Sequence, residues 1–288
     1  MACLNRPFAK QQGATCWFNA IMNGFVLSRK GRIIMYKAIA RYIDQNVQTR
    51  RELEDFMRDD ITCIRPGQLH SKFNFYKWFY RWLVLGLPMD RNTRIVMRNL
   101  VKNKRSDEID QHNLPSKALV DILNRMDITS YSLIDIHTGH IYKNEPNCEF
   151  VIYAATTIDT NNPLGRFGSE LALTVADNYR LDHASLGVFF EQGGSHSSHA
   201  ITGVTCITTG EPILVDSNSD HIYACDWRIP ANIMASQGYV NFCSGAYHSP
   251  PSRPIILFAI YTRNDITNRN LPNIFSLLNR HKNAMNTE

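Results

Sequence analysis

The apolar positions change their period halfway along the chain. Near the start, Phe18, Ile21, Met22 and Phe25 recur at i, i+3, i+4 and i+7, the spacing of one buried helix face, and Gly31 ends that run. Helical patterns continue over Arg32–Gln45, a short charged stretch Arg51–Arg58 and an aromatic-rich stretch Asn74–Leu85. A further helix is predicted from Leu114-Pro115-Ser116 through Met126, with Pro115 or Ser116 in its first turn. The second half reads differently. Glu149–Thr156, Glu170–Ala176, Ala184–Phe190, Ala200–Ile207, Pro212–Asp216 and Pro254–Thr262 are short, rich in β-branched and aromatic residues, and separated by turn residues. A last helix is predicted over Leu271–Arg280. Helices first and strands second, without alternation, predict an α+β fold with an antiparallel sheet. Residues 1–130 are expected to form a helical lobe and residues 131–288 a sheet lobe closed by the last helix, within one domain. The polar stretch Lys102–Asn113 reads as a loop or boundary.

At 288 residues, with 44% hydrophobic and 20% charged residues, the chain has the balance of a globular protein with a sizeable core. No run of about 20 uncharged apolar residues is present, so no membrane contact is expected. No secretory signal pattern opens the chain. Seven cysteines, none in a C-x-x-C pair, suggest neither a disulfide framework nor a zinc ribbon. Mostly free thiols and a reducing compartment such as the cytoplasm are expected. The net charge of +5 divides into +10 over residues 1–130 and −5 over the remainder. No nucleic-acid recognition motif accompanies the basic half, so solvated helix faces are expected rather than a nucleic-acid partner.

Free thiols raise the question of a nucleophile. Cysteine attacks as the thiolate, and a helix N-terminus and a nearby imidazole both favour that form. The segment Gln11-Gln12-Gly13-Ala14-Thr15-Cys16-Trp17-Phe18-Asn19 fits the need. Gly13 permits a sharp turn, Thr15 is able to cap, and Cys16 opens the apolar-faced helix. Gln11 or Gln12, with upstream amides, is available for an oxyanion. Far downstream, Gly193-Gly194-Ser195 leads into His199 at the expected start of a strand, and the chain returns to Asp216, 17 residues on. An antiparallel return of that length sets imidazole and carboxylate side by side. His196 is an alternative base, and Asn218 an alternative orienting residue. A metal site from His196, His199, His221, Cys206 and Cys225 has no recognised ligand spacing, so no metal or cofactor is expected. Cys3, Cys63, Cys148 and Cys243 are expected to be packing or surface thiols, and Trp227 to lie in the core.

The chain order Cys16, His199, Asp216, the aromatic Trp17 after the cysteine, His199-Ala200-Ile201 and Ile213-Leu214-Val215-Asp216-Ser217 together resemble the papain-like cysteine peptidases. More narrowly, Gly13-x-Thr15-Cys16-Trp17-x-Asn19 resembles the cysteine box of ubiquitin-specific proteases, N-x-G-x-T-C-Y-x-N. Gln11 stands where that box has its oxyanion-binding Asn. The resemblance implies a two-lobe fold with the site in the cleft. It also implies a Cys16–His199–Asp216 triad cleaving peptide or isopeptide bonds without a cofactor. Implied substrates are ubiquitin, a ubiquitin-like modifier or a polyprotein. The sequence departs from that family in three respects: Ser198-His199-Ala200 replaces its Gly-His-Tyr, paired C-x-x-C fingers are missing, and the 183 residues from Cys16 to His199 are a short separation for it. The compact build is also similar to the thiol proteases of large DNA viruses, which implies host cytoplasm or virion. A non-catalytic binding protein on the same fold, and an acyl-transferring enzyme with the same triad order, are the alternatives.

Overall fold

The computed structural model describes residues 16–34 and 115–266, apart from a few positions within those ranges. The helices predicted over 51–58, 74–85 and 271–280, most of that over 32–45, the boundary at 102–113, and Gln11 and Gln12 lie outside the described residues.

Helix α1 (Cys16–Leu27) is followed in the described chain by α2 (Pro115–Arg125), both predicted. The strands are β1 (Tyr131–Asp135), β2 (Ile141–Lys143), β3 (Phe150–Ala154), β4 (Tyr179–Gln192), β5 (Ser195–Thr205), β6 (Pro212–Val215), β7 (Ile222–Ala224) and β8 (Ile255–Arg263). Two helices, α3 (Ala231–Ala235) and α4 (Gln237–Tyr247), separate β7 from β8. All eight strands form one sheet in the order β2-β1-β3-β8-β4-β5-β6-β7, and the fold is α+β.

The sheet is mixed, which corrects the antiparallel expectation. Strands β1 and β3 run parallel, with Tyr131 opposite Phe150 and Asp135 opposite Ala154, while every other pairing is antiparallel. The cause is local. β2 folds back on the outer edge of β1, and the chain reverses again before β3, so β3 enters in the direction of β1. The strand predicted over Glu170–Ala176 is absent. That segment makes a single bridge to β4, Thr174 to Arg180, flanked by the backbone bonds from Val175 N–H to Tyr179 and from Leu181 N–H to Leu173. Its alternating Leu173 is 53% exposed.

The period-two pattern of the strands sends apolar side chains to both faces, and helices cover both. On one face, Phe18, Ile21, Met22 and Phe25 of α1 and Leu119 and Leu123 of α2 pack with Phe150, Ile152, Phe258 and Ile260. On the other, Leu186, Val188, Ile201 and Leu214 pack with Trp227 and with Ile233, Tyr239 and Cys243 of α3 and α4. Trp227 is fully buried, and its Nε1–H donates to the Val204 carbonyl at 3.0 Å. The indole lies flat against Gly203, whose missing Cβ makes room for it.

Helix α1 is buried along nearly its whole length, so its orientation is set on every side. Its far end is tied to β4. Ser28 Oγ donates to Asp182 Oδ2 at 2.5 Å, and the Gly31 amide donates to the same oxygen at 3.1 Å. Asp182 Oδ2 also pairs with His183 Nδ1 at 2.8 Å. The β4–β8 register slips between Leu181 and His183, a bulge that lets consecutive residues face the same helix. Buried His183 packs edge-on against Phe25, and Gly24 admits its ring against the α1 backbone.

Candidate active site

The site forms where the β5–β6 ladder stops. β6 begins opposite Thr205 and ends with Val215 opposite Thr202. His199 therefore lies on β5 beyond the end of β6, and Asp216 is the first residue after that strand. His199 sits inside β5, paired with Val188, rather than at the strand's first residue. The ladder of the β4–β5 hairpin extends past it to Gln192 opposite Ser195, so the strand begins four residues before the histidine.

His199 Nε2 lies 2.8 Å from Asp216 Oδ1, and both side chains are buried. That contact commits Nε2 to the carboxylate and leaves Nδ1 for the Cys16 thiol, with which the ring is hydrogen-bonded. The sulfur also meets the backbone amides of Trp17 and Ala200. Trp17 belongs to the first turn of α1, where amides lack intrahelical acceptors and the dipole favours negative charge. The Ala200 amide reaches the sulfur from the part of β5 beyond β6. Cys16 is partly exposed.

Burial pushes the Cys16 thiol up, but the His199 ring and the two amides outweigh it, so its pKa falls below the ordinary 9.0. Burial disfavours the His199 imidazolium, yet the charge and hydrogen bond of Asp216, with help from Cys16, carry its pKa well above 6.5. The two shifts have one cause, a thiolate and an imidazolium stabilising each other beside a buried carboxylate. Cys225 and Cys243 show the contrast: without a cationic partner, burial raises them to about 11 and about 12.

Asp216 is held in a tight turn. Its Oδ1 accepts the Asn218 amide at 2.8 Å, and its carbonyl accepts the Ser219 amide at 3.0 Å. Tyr239 of α4 donates to Oδ2 at 3.1 Å. Tyr247, at the end of α4, stacks on Phe190 with ring centroids 4.1 Å apart and lies 5.5 Å from the His199 ring, covering the imidazole. Sequence reasoning missed both tyrosines because no element was assigned to 231–247. The signal available was Tyr239, Cys243 and Tyr247 at intervals of four.

The structure thus brings together Cys16, His199 and Asp216. It does not bring the alternatives to the same places. His196 is paired with Glu191, three residues along β5 from His199, or about 10 Å of extended chain. Asn218 is exposed, and its Nδ2 donates to Tyr247 Oη at 3.0 Å rather than to the imidazole. Among the described residues, no group of three His, Cys, Asp or Glu side chains is arranged to hold a metal. Cys148, Cys225 and Cys243 are free and buried, whereas Cys206 is disulfide-bonded. Mostly free thiols are expected from the sequence, and Cys206 is the exception among the described cysteines. No described helix is long and apolar enough to cross a membrane. No model of a known protein family matches this sequence, and no curated protein matches it.

Proposed function

We propose that the protein is a cysteine peptidase of papain-like build, cleaving peptide or isopeptide bonds through a thioester intermediate. The observation that carries the reading is the contact of the Cys16 thiol with a His199 ring whose other nitrogen is bonded to buried Asp216. Three groups of that chemistry, in that order of contact, form a nucleophile, its base and the group that orients the base. A thiol shifted down while other buried thiols shift up adds to it.

In the proposed reaction His199 Nδ1 takes the Cys16 proton. The thiolate sulfur attacks the substrate carbonyl carbon, forming a C–S bond and moving the C=O pair onto oxygen. When that pair returns, the C–N bond breaks and the leaving amine takes the proton from Nδ1. Water, deprotonated by the same nitrogen, then cleaves the thioester and restores the thiol. Asp216 keeps Nε2–H bonded throughout and stabilises the imidazolium. The Cys16 amide and Gln11 or Gln12 are the proposed oxyanion donors. The cysteine box makes the C-terminus of ubiquitin or a ubiquitin-like modifier the first substrate class to test, and a polyprotein junction the second. The test is hydrolysis of ubiquitin–fluorophore and generic peptide substrates by wild type and Cys16→Ala. Cleavage lost on substitution supports the reading, and equal residual rates overturn it.

A further inference from the structure

We infer that Tyr239 is a positioning residue for the His199–Asp216 pair: its hydroxyl holds the second carboxylate oxygen and thereby sets how strongly Asp216 binds the imidazolium. The inference rests on the peptidase reading for its purpose, and on local geometry for its substance.

A buried carboxylate offers about four acceptor positions and loses stability when they are left empty. The two oxygens of Asp216 are served differently. Oδ1 takes the His199 ring and the Asn218 amide. Among the described residues, Oδ2 takes only the Tyr239 hydroxyl, at 3.1 Å. Both side chains are 0% exposed, so water does not substitute for either partner.

Packing alone does not call for a hydroxyl here. Tyr239 belongs to an apolar core with Trp227, Ile233 and Cys243, where phenylalanine would fill the same volume. A phenol in such a place is costly to bury unless it is bonded. Its hydrogen is committed to Asp216, and the Cys243 thiol lies within hydrogen-bond contact of the hydroxyl. The chain of contacts runs Cys16, His199, Asp216, Tyr239, Cys243, with its outer end closed inside the core.

The consequence for His199 has a definite sign. A donor on Oδ2 spreads the carboxylate charge and weakens its hold on the imidazolium. Without that donor, the imidazolium becomes the principal compensation for the charge and gives up its proton at higher pH. The other titratable groups facing this network are Cys16 on α1, Tyr223 on β7, and Cys243 and Tyr247 on α4. Each is a thiol or phenol, and the pKa of each except Cys16 is raised, so none supplies a compensating positive charge near neutral pH.

The experiment follows alkylation of Cys16 against pH, which requires no substrate. The rate rises first as the thiolate–imidazolium pair forms and again as the imidazolium loses its proton. In Tyr239→Phe the upper inflection is expected about one pH unit higher, a tenfold gain in proton affinity. Tyr239→3-fluorotyrosine keeps the ring and strengthens the donor, so its upper inflection is expected lower. That second variant serves where Tyr239→Phe fails to fold. Cys243→Ala disturbs the same packing but keeps the hydroxyl–carboxylate bond, and its upper inflection is expected to move much less than that of Tyr239→Phe. Upper inflections that coincide in wild type and both Tyr239 variants overturn the inference, as does an equal shift in Cys243→Ala. Hydrolysis retained with neither Tyr239 shift overturns this role alone. Both shifts present without hydrolysis support the role and remove the peptidase reading.

Discussion

Gly203→Ala tests the link between fold and site. Gly203 lies in the middle of β5, paired with Ala184 on one side and Leu214 on the other. The next pair along, Thr202 with Val215, sets the register that leaves Asp216 beside His199. A Cβ at position 203 would meet Trp227 Cε3 and Cγ at 2.5 Å. Ordinary carbon contacts are about 3.5–4.0 Å, so the indole must move by roughly 1 Å or more. The backbone has no room to retreat, being bonded on both sides, and the indole is fully buried. Overpacking of this kind costs about 1–3 kcal/mol. Drawing the indole N–H away from the Val204 carbonyl costs about 1–3 kcal/mol more. Replacing glycine in a strand returns about 0.5–1 kcal/mol. The net expectation is a loss of about 1–5 kcal/mol, a large part of the ~5–15 kcal/mol that holds a typical protein folded. Urea unfolding of wild type and variant measures it, with an unchanged slope showing that the unfolded state is the same. Trp227→Leu makes room, so the double variant is expected to lose less than the two single losses combined, by about 1 kcal/mol or more. A Gly203→Ala protein within about 1 kcal/mol of wild type, with additive losses in the double variant, refutes the close-packing argument.

Other expectations follow from the same contacts. Asp216→Ala leaves His199 Nε2 and the Tyr239 hydroxyl without their acceptor, so kcat/KM on a cleaved substrate is expected to fall about 10²–10⁴-fold, and a loss below threefold contradicts the orienting role. In the same variant the imidazolium loses the charge that raises its pKa, so the alkaline limb of activity moves to lower pH, and a stationary limb in a pH–rate profile argues against the pair. Ser28→Ala removes the hydroxyl between Asp182 and the Gly31 amide at the far end of α1, with an expected cost of about 1–3 kcal/mol in chemical unfolding. Unchanged stability there shows that the tie does not hold the helix that carries Cys16.

Much of the candidate site is legible in the sequence because Cys16 opens a helix, Asp216 follows a strand end and His199 lies on the strand that precedes that return. Cys16 opens an apolar-faced helix, and His199 and Asp216 lie 17 residues apart around a hairpin, so period and turn residues place them. The environment of the carboxylate is not legible. Residues 231–247 mix Asn, Gln, Ser and Gly with scattered apolar residues, a weak helical pattern that gains its meaning only from packing on the sheet. Strands β1 and β2 escaped for a related reason. β2 is three residues long with Ile141 and Tyr142 exposed, so burial does not impose an alternation on it. Without those two strands the parallel entry of β3 has no visible cause. The failed strand at 170–176 shows the reverse error, since Leu171, Leu173 and Val175 alternate as a strand would, but only Leu171 is fully buried.

The most direct measurement is the rate at which a small electrophile alkylates each cysteine near neutral pH, located by mass spectrometry, in wild type and His199→Ala. Among the described cysteines, Cys16 is expected to react first in wild type, because His199 draws its thiol down while burial holds Cys225 and Cys243 as thiols. In His199→Ala the thiol keeps its burial and loses its cation, so that lead is expected to vanish. A Cys16 that reacts no faster than the other thiols, or equally fast with and without His199, contradicts the account.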